Sequence, residues 1–442
     1  MITHDPTSYE PGAQAEHLVD VVGVGFGPAN LALAIAHEEA GSTLTSVYLD
    51  AELDPVWHPG MLIRGADIQH NPHRDLVSLR NPRSRYSFMN YLHETGRLIK
   101  HLNLPARFPL RREYADYIRW ARLQVGADVR YGRRVTSIAL ERGASGRRHR
   151  VTTDRGESFL ARAVVLGPGR TPYLPEAFAQ VRDPRIAHLQ QYLPSLDHFG
   201  ETGPARVIVV GGSQSAVEIA LDLVDRFPRT VVHIASRNWS LRTKDHSPFS
   251  EEIYFPEFVD NYHKASFAHR RRLDGFTRPT NYSSSDQDVL DRLYMTIHEQ
   301  QLEDAQRVFV HGDVEITNVS VGGSAVTLTL EQNTTRAPSH VEGDLVVLAT
   351  GFKDMGKGAN QEPHHPLLDD VAGHYAWTDE GYLDVREDYS LTPRTPLVPP
   401  VYLNGLCEST HGIGDAGSFS LLSLRTERIR TSLDSALAAA HG

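Results

Sequence analysis

The sequence predicts an α/β protein made of two Rossmann-like dinucleotide-binding domains, the second inserted into the first. Three observations carry this. A β-branched strand runs into a glycine turn and an apolar helix near the N-terminus, the same pattern recurs far downstream, and two more apolar strands ending in glycine, "AVVLGPGRTPYLP" and "GDLVVLATGFKD", flank the second copy.

Taken in order, the opening "MITHDPTSYEPGAQAEHL" is polar and lacks the basic-then-apolar order of a signal peptide. Residues 1–18 are therefore expected to be a flexible leader outside the fold. In "VDVVGVGFGPANLALAIAHEEA", Val19 to Val22 form the strand, Gly23 permits the tight turn and Gly25 lets a pyrophosphate approach the backbone. Gly27, Pro28 and Asn30 lead into the helix, whose free N–H groups and positive dipole end suit a phosphate. Pro28 stands where the common pattern has its third glycine. The next strand, "LTSVYLD", ends at Asp50, 27 residues after Gly23, where a carboxylate can accept the hydroxyls of an adenosine ribose.

The second unit begins with "ARVIVVGGSQSAVEIALDLVD": Val207 to Val210 are its strand, Gly211 and Gly212 its turn, and Ser213, Gln214 and Ser215 its helix start. The strand after it, "TVVHIAS", is followed by Arg237 instead of an acid. A guanidinium there can pair with a 2′-phosphate, which favours NADPH over NADH. A first nucleotide domain in two segments, residues 19–202 and 341–442, with a second, residues 203–340, set between them resembles the layout of two-dinucleotide-binding flavoproteins, which implies FAD in the first and NADPH in the second. The second FAD-binding segment ends in an amphipathic helix.

Composition excludes several classes. A chain of 442 residues with 40% hydrophobic and 23% charged residues has room for more than one core. No apolar run approaches the ~18 residues of a membrane span, so a soluble, cytoplasmic protein is expected. A net charge of -10 argues against a general nucleic-acid binder. Cys407 is the single cysteine, which rules out an internal disulfide. The 23 histidines show no HExxH-type spacing, and no metal is expected.

With these residues in view, the chain resembles the flavin-dependent N-hydroxylating monooxygenases, known for hydroxylating the side-chain amine of ornithine or lysine for siderophores. The resemblance spans roughly residues 19–430 and rests on "GVGFGPANLALA", "WHPGMLI", "RDLVSLRNPRSRYSFMNYLHETGRL", "PLRREYADYIRWA", "GGSQSAVEIA", "SPFSEEIYFP", "TNYSSSD", "LATGF" and "THGIGD", in that order. It implies that NADPH reduces FAD, that the reduced flavin takes up O2 as a C4a-hydroperoxide, and that a free amine attacks the distal oxygen. The hard chemistry then belongs to the cofactor. The protein has to keep water away and present an uncharged amine, whose pKa in water is near ~10.4.

The same resemblance implies residue roles. Gln69 is placed beside the flavin ring, shaping the oxygenation site. Trp57 and His58 are expected beside the flavin, and Gly351 and Asp415 complete its set. Asn281 is implied at both the nicotinamide and the substrate, and relatives suggest a homo-dimer or tetramer. In the stretch "IQHNPHRDL" the family's substrate-anchoring lysine is replaced by Arg74, preceded by His70, Asn71 and His73. Glu251 replaces an asparagine that contacts ornithine, and added residues leave Ser418 or Ser420 as equivalents of a contacting serine. A cation-rich patch of Arg74, His70 and His73 favours a short acidic amino acid such as aspartate, with oxidation past hydroxylamine towards nitro left open. Glu251 instead favours a diamine such as putrescine or cadaverine, or pairs with Arg74. Ornithine or lysine is the third alternative. A disulfide reductase needs a redox cysteine pair that is missing here, a Baeyer-Villiger oxygenase fits "TNYSSSD" and "THGIGD" less well, and the intact set Gly23, Gly25, Asp50, Gln69, Gly211 and Arg237 speaks against a nucleotide-binding scaffold without turnover.

Overall fold

The computed structural model describes residues 17–143, 146–415 and 417–438. The first strand, His17–Val24, lies inside a seven-stranded sheet, flanked in parallel by Ser46–Leu49 and Ser158–Leu166. Asp128–Arg130 extends the sheet on one side, and the antiparallel pair Gly146–Thr153 and Val135–Gly143 on the other. The late strand Val401–Leu403 also joins Ser158–Leu166, so the chain does return to its first sheet. Leu33 of the helix Pro28–Ala40 and Ile429 and Leu433 of the terminal helix Leu422–Ala438 share one core with Val22 and Val164. Strands covered in this way become continuous apolar runs. Residues 1–16 of the expected leader lie outside the described residues. His17 and Leu18 already pair with Phe159 and Leu160, so the strand starts earlier than expected.

The second sheet is wholly parallel, in the order Val308–His311, Val231–Ala235, Arg206–Val210, Leu345–Leu348, Ile186–His188. Its side chains alternate. Val207, Val209, Leu345 and Val347 pack against Val217 and Leu293 of the helices Gln214–Arg226 and Gln287–Leu302. Ile208, Val210, Val346 and Leu348 pack against Val326 and Leu328 of an antiparallel three-stranded sheet, residues 314–343. The second sheet thus reaches beyond the expected limits of 203 and 340 at both ends. "GDLVVLATGFKD" belongs to it, not to the first sheet, because an apolar run buried on both faces carries no mark of which sheet it joins. The chain leaves and re-enters the first unit side by side: Pro172 bridges Phe352, and Lys353 N–H donates to the Thr171 carbonyl at 2.7 Å.

Between Leu49 and Asp128 the first unit carries a long excursion whose aromatic side chains, including Tyr86, Phe88, Tyr114 and Tyr117, share a core with Phe26 and Leu31 of the first turn and helix. Buried Asp75 pins its central loop by accepting from the N–H groups of Val77, Ser78 and Phe88 at 2.9, 2.6 and 2.8 Å. Three charge-assisted bonds of this kind hold a loop rigidly. Arg74, which precedes Asp75, is positioned by it.

Candidate active site

The first glycine turn is built for close approach. Gly25 has φ +78°, and a Cβ there would lie 2.5 Å from the Gly167 carbonyl oxygen. The following helix has Pro28 in its first turn and no side-chain cap, and the space where a Cβ of Gly27 would point is open. Those free N–H groups suit a diphosphate. Asp50 accepts from Phe26 N–H at 2.7 Å and from Glu52 N–H at 2.9 Å, so it holds the turn, and a carboxylate has further lone pairs for hydroxyls.

Two residues expected at the flavin nucleotide have side chains engaged within the protein. Asn30 donates inward to the Val24 and Gly25 carbonyls and accepts from Asn404 at 3.1 Å. Asn404 in turn accepts from Arg425 at 3.0 Å, and Arg425 pairs with fully buried Asp415 at 3.1 Å. Asn30 and Asp415 are therefore the two ends of a buried network that ties the glycine turn to the terminal helix. Gly351 lies in the crossing between units, its carbonyl accepting from Tyr173 N–H at 3.0 Å and from His188 at 2.9 Å.

The second turn repeats the design. A Cβ on Gly211 would lie 2.4 Å from the Ala349 carbonyl oxygen, Gly212 packs on Ser236, and Ser213 caps the helix without a side-chain bond. Ser215 is half-buried in the first turn of that helix. Gln214 faces inward, accepting from Asp286 N–H at 2.7 Å and donating to Glu218 at 3.0 Å, so its side chain serves the protein's own network. Arg237 is exposed beyond its strand, with no hydrogen bond or ion pair among the described residues. It is free to meet a phosphate.

The stretch around Arg74 separates into three environments. His70 stacks on Phe419 with ring centroids 5.5 Å apart and meets Tyr114 edge-on, and burial pushes its imidazole down to about 4. Asn71 and His73 are exposed and bond to each other at 3.0 Å. Arg74 is part-buried, its guanidinium 5.1 Å from the Tyr254 ring centre and 3.4 Å from Ser420 Oγ. The expected cation-rich patch does not form, because an aromatic box of Trp57, Tyr114 and Phe419 takes up His70 in neutral form.

Glu251 pairs with His246 at 3.5 Å and Arg107 at 3.9 Å, not with Arg74. Of the two serines, Ser420 faces Arg74, and Ser418 donates to Ser420 at 2.9 Å. Asn281 donates to the Ile413 carbonyl at 3.4 Å, and Gly414 lies so close to Ile253 that a Cβ would meet its carbonyl at 2.1 Å. These contacts draw "SPFSEEIYFP", "TNYSSSD" and "THGIGD" onto one wall beside Arg74.

Gln69 adopts φ +59°, a conformation a side chain rarely takes, and its N–H donates to Asp67 at 2.9 Å. Its Oε1 accepts from the ammonium of Lys244, whereas its Nε2 is buried without a partner among the described residues. Lys244 also faces Asp286 at 3.5 Å, and Asp286 bonds His246 at 2.9 Å. Burial, together with Asp286 and Glu218, raises the Asp67 carboxyl to about 6. Nearby His58 has φ +50° and is pushed down to about 4 by burial, while Trp57 stands edge-on to Phe419. Tyr254, Asp286, Arg111 and Glu218 lie within the quoted motifs but were given no role, and nothing in the sequence marked Lys244, since each acts through a partner distant in the chain. A buried lysine in "RTKDH" looks like a surface residue.

Two dinucleotide turns, a part-buried arginine beside Ser420 and a buried unpartnered amide held by a lysine of the second unit are the parts expected of an oxidoreductase that uses two nucleotides. The chain belongs to the L-lysine 6-monooxygenase/L-ornithine 5-monooxygenase family, whose model matches residues 17–354. It is thereby a flavin-dependent, NADPH-dependent N-hydroxylating monooxygenase. It is 33% identical over 433 residues to the L-ornithine N(5)-monooxygenase of Burkholderia cepacia, covering 95% of each chain. Among solved structures it is similar to the ornithine N-hydroxylase of Kutzneria sp. 744 in complex with reduced FAD, NADP+ and L-ornithine (TM-score 0.86, 32% identity, 95% of this chain and 99% of that one). It is likewise similar to the L-lysine 6-monooxygenase of Pseudomonas syringae (TM-score 0.82, 34% identity, 95% of this chain and 100% of that one). Among the described residues, no helix is long and apolar enough to cross a membrane, and no group of three or more His, Cys, Asp or Glu is placed to hold a metal ion.

Proposed function

We propose that this chain hydroxylates the side-chain amine of a small basic amino acid, L-ornithine first and L-lysine second. The observation that carries this is Arg74, whose part-buried guanidinium beside Ser420 and Tyr254 suits a single carboxylate. An aspartate substrate needs a second cation for its second carboxylate, and neutral His70 does not supply it. The relatives, too, act on ornithine or lysine by name, so the acidic substrate expected from sequence is set aside.

In this assignment Gly25, Gly27 and the helix start at Pro28 hold the FAD diphosphate, and Asp50 its ribose. Gly211, Gly212 and Ser213 hold NADPH, with Arg237 on its 2′-phosphate. FAD, reduced by NADPH, supplies the activated oxygen from O2. The protein orients the substrate through Arg74, Ser420 and Asn281, and Tyr254, Phe419 and Trp57 exclude water. That exclusion also favours the uncharged amine.

The test is a panel of ornithine, lysine, putrescine, cadaverine and aspartate, measuring NADPH oxidation together with mass-detected N-oxygenated product. Product from ornithine or lysine is expected. Product from the diamines alone removes the carboxylate role of Arg74, and product from aspartate alone overturns the substrate class.

A further inference from the structure

We infer that Lys244 is a positioning residue: its ammonium fixes the side-chain amide of Gln69 so that Nε2, and not Oε1, is presented to the flavin. The inference rests on Gln69 lying at the flavin. Three observations carry it.

The first is chemical. An ammonium has three donors and no acceptor, so the amide oxygen of Gln69 must face Lys244 and the NH2 group must face away. Without such a partner the two orientations of a glutamine amide differ little. The second is that Nε2, turned away by this bond, is buried and has no partner among the described residues. A buried donor of that kind calls for an acceptor from outside the chain.

The third is placement. Ile68, next to Gln69, packs in the same core as Phe26 and Leu31 of the first turn and helix. Lys244 belongs to the second unit, where its N–H donates to the Ser285 carbonyl at 2.9 Å, and its partner Asp286 binds Gln214 at the second turn. Gln69 thus belongs to the first unit and is held by a bond from the second, through a lysine whose partner Asp286 is tied to the second turn. Lys244 is 7% exposed. The groups facing it are Asp286, Glu218 and Asp67, with His246 bonded to Asp286 and Arg111 to Glu218. Burial lowers its pKa from the ordinary lysine value despite these carboxylates. Once neutral, the amine gains a lone pair and no longer dictates which face of the amide it meets.

The experiment uses the FAD-loaded enzyme and the variants Lys244→Met, Lys244→Gln, Gln69→Ala and Gln69→Ala/Lys244→Met. Two quantities are read: N-oxygenated product per NADPH oxidised, and the visible absorption spectrum of bound oxidised flavin titrated with pH in the absence of NADPH. Expected for Lys244→Met is a loss of coupling of about tenfold, the weight of one hydrogen bond, with NADPH oxidation largely kept. The double variant should be no worse than Gln69→Ala. The wild-type spectrum should show a transition below the ordinary lysine range that Lys244→Met lacks. Should Lys244→Met lose FAD, Lys244→Gln carries the test, because it keeps a donor but adds an acceptor and must also uncouple. Full coupling in Lys244→Met or Lys244→Gln, or losses that multiply in the double variant, overturns the inference. Full coupling in Gln69→Ala instead strikes the role of Gln69 itself, and the inference falls with it.

Discussion

Arg74 and Arg237 are two cations placed to meet a ligand in the proposed function, and each makes a separable prediction. Arg74→Ala should raise KM for ornithine by about 10- to 100-fold, the weight of charge-assisted hydrogen bonds, while KM for NADPH stays near wild type. Arg74→Lys should fall between, since an ammonium keeps the charge but not the bidentate fork. Steady-state kinetics with ornithine and putrescine side by side check this, because the diamine has no carboxylate to lose. Arg237→Ala should raise KM for NADPH by about tenfold or more and leave KM for NADH unchanged, which removes the preference between them. The side chain of His70 shows why such roles were only partly legible. Its type and spacing suggested a cation, but its charge depends on Tyr114 and Phe419, which come from elsewhere in the chain.

At the scale of elements, each turn works because a neighbouring strand end presses against it. Gly25→Ala places a Cβ 2.5 Å from the Gly167 oxygen and forces φ +78° on a side-chain residue. The purified variant should retain its far-UV circular dichroism but carry little FAD, measured by the ratio of flavin to protein absorbance. The helices Arg111–Gln124 and Gln214–Arg226 are joined by the two-pronged bond of Arg111 to Glu218 at 2.9 and 3.1 Å. Both side chains are nearly buried, so Arg111→Ala strips Glu218 of its two-pronged partner and leaves it only Gln214 and the Lys244 charge, which should cost about 3 kcal/mol, read as a lowered Tm. The turns themselves were legible from sequence because their chemistry is local: strand, glycine, helix start. Gln214 was legible as a helix start but not as a ligand of Asp286, which lies 72 positions away.

For the molecule as a whole, the acidic contacts between the units set a pH dependence. Asp67 has its carboxyl raised from 3.8 to about 6 in the fold, so the native state holds a proton there that the unfolded chain gives up earlier. Stability from this group is therefore full below about pH 4 and is lost as pH rises through about 6. Asp67→Asn, which keeps the Gln69 N–H acceptor, should raise Tm relative to wild type above pH 6 and have little effect near pH 4, as followed by thermal unfolding across that range. By itself the sequence determined the α/β class, the two nucleotide turns, the return of the chain to its first sheet and the family, since these follow from short-range spacing and from motifs in fixed order. Only the tertiary structure decided that Leu345–Leu348 joins the second sheet, that Asn30 and Asp415 brace the fold, that Arg74 meets Ser420 while His70 enters an aromatic box, and that Lys244 meets Gln69 from 175 positions away. The reason is physical: an apolar run, an amide or an imidazole takes its partner and its charge from what packs against it, and those neighbours come from distant stretches of the chain.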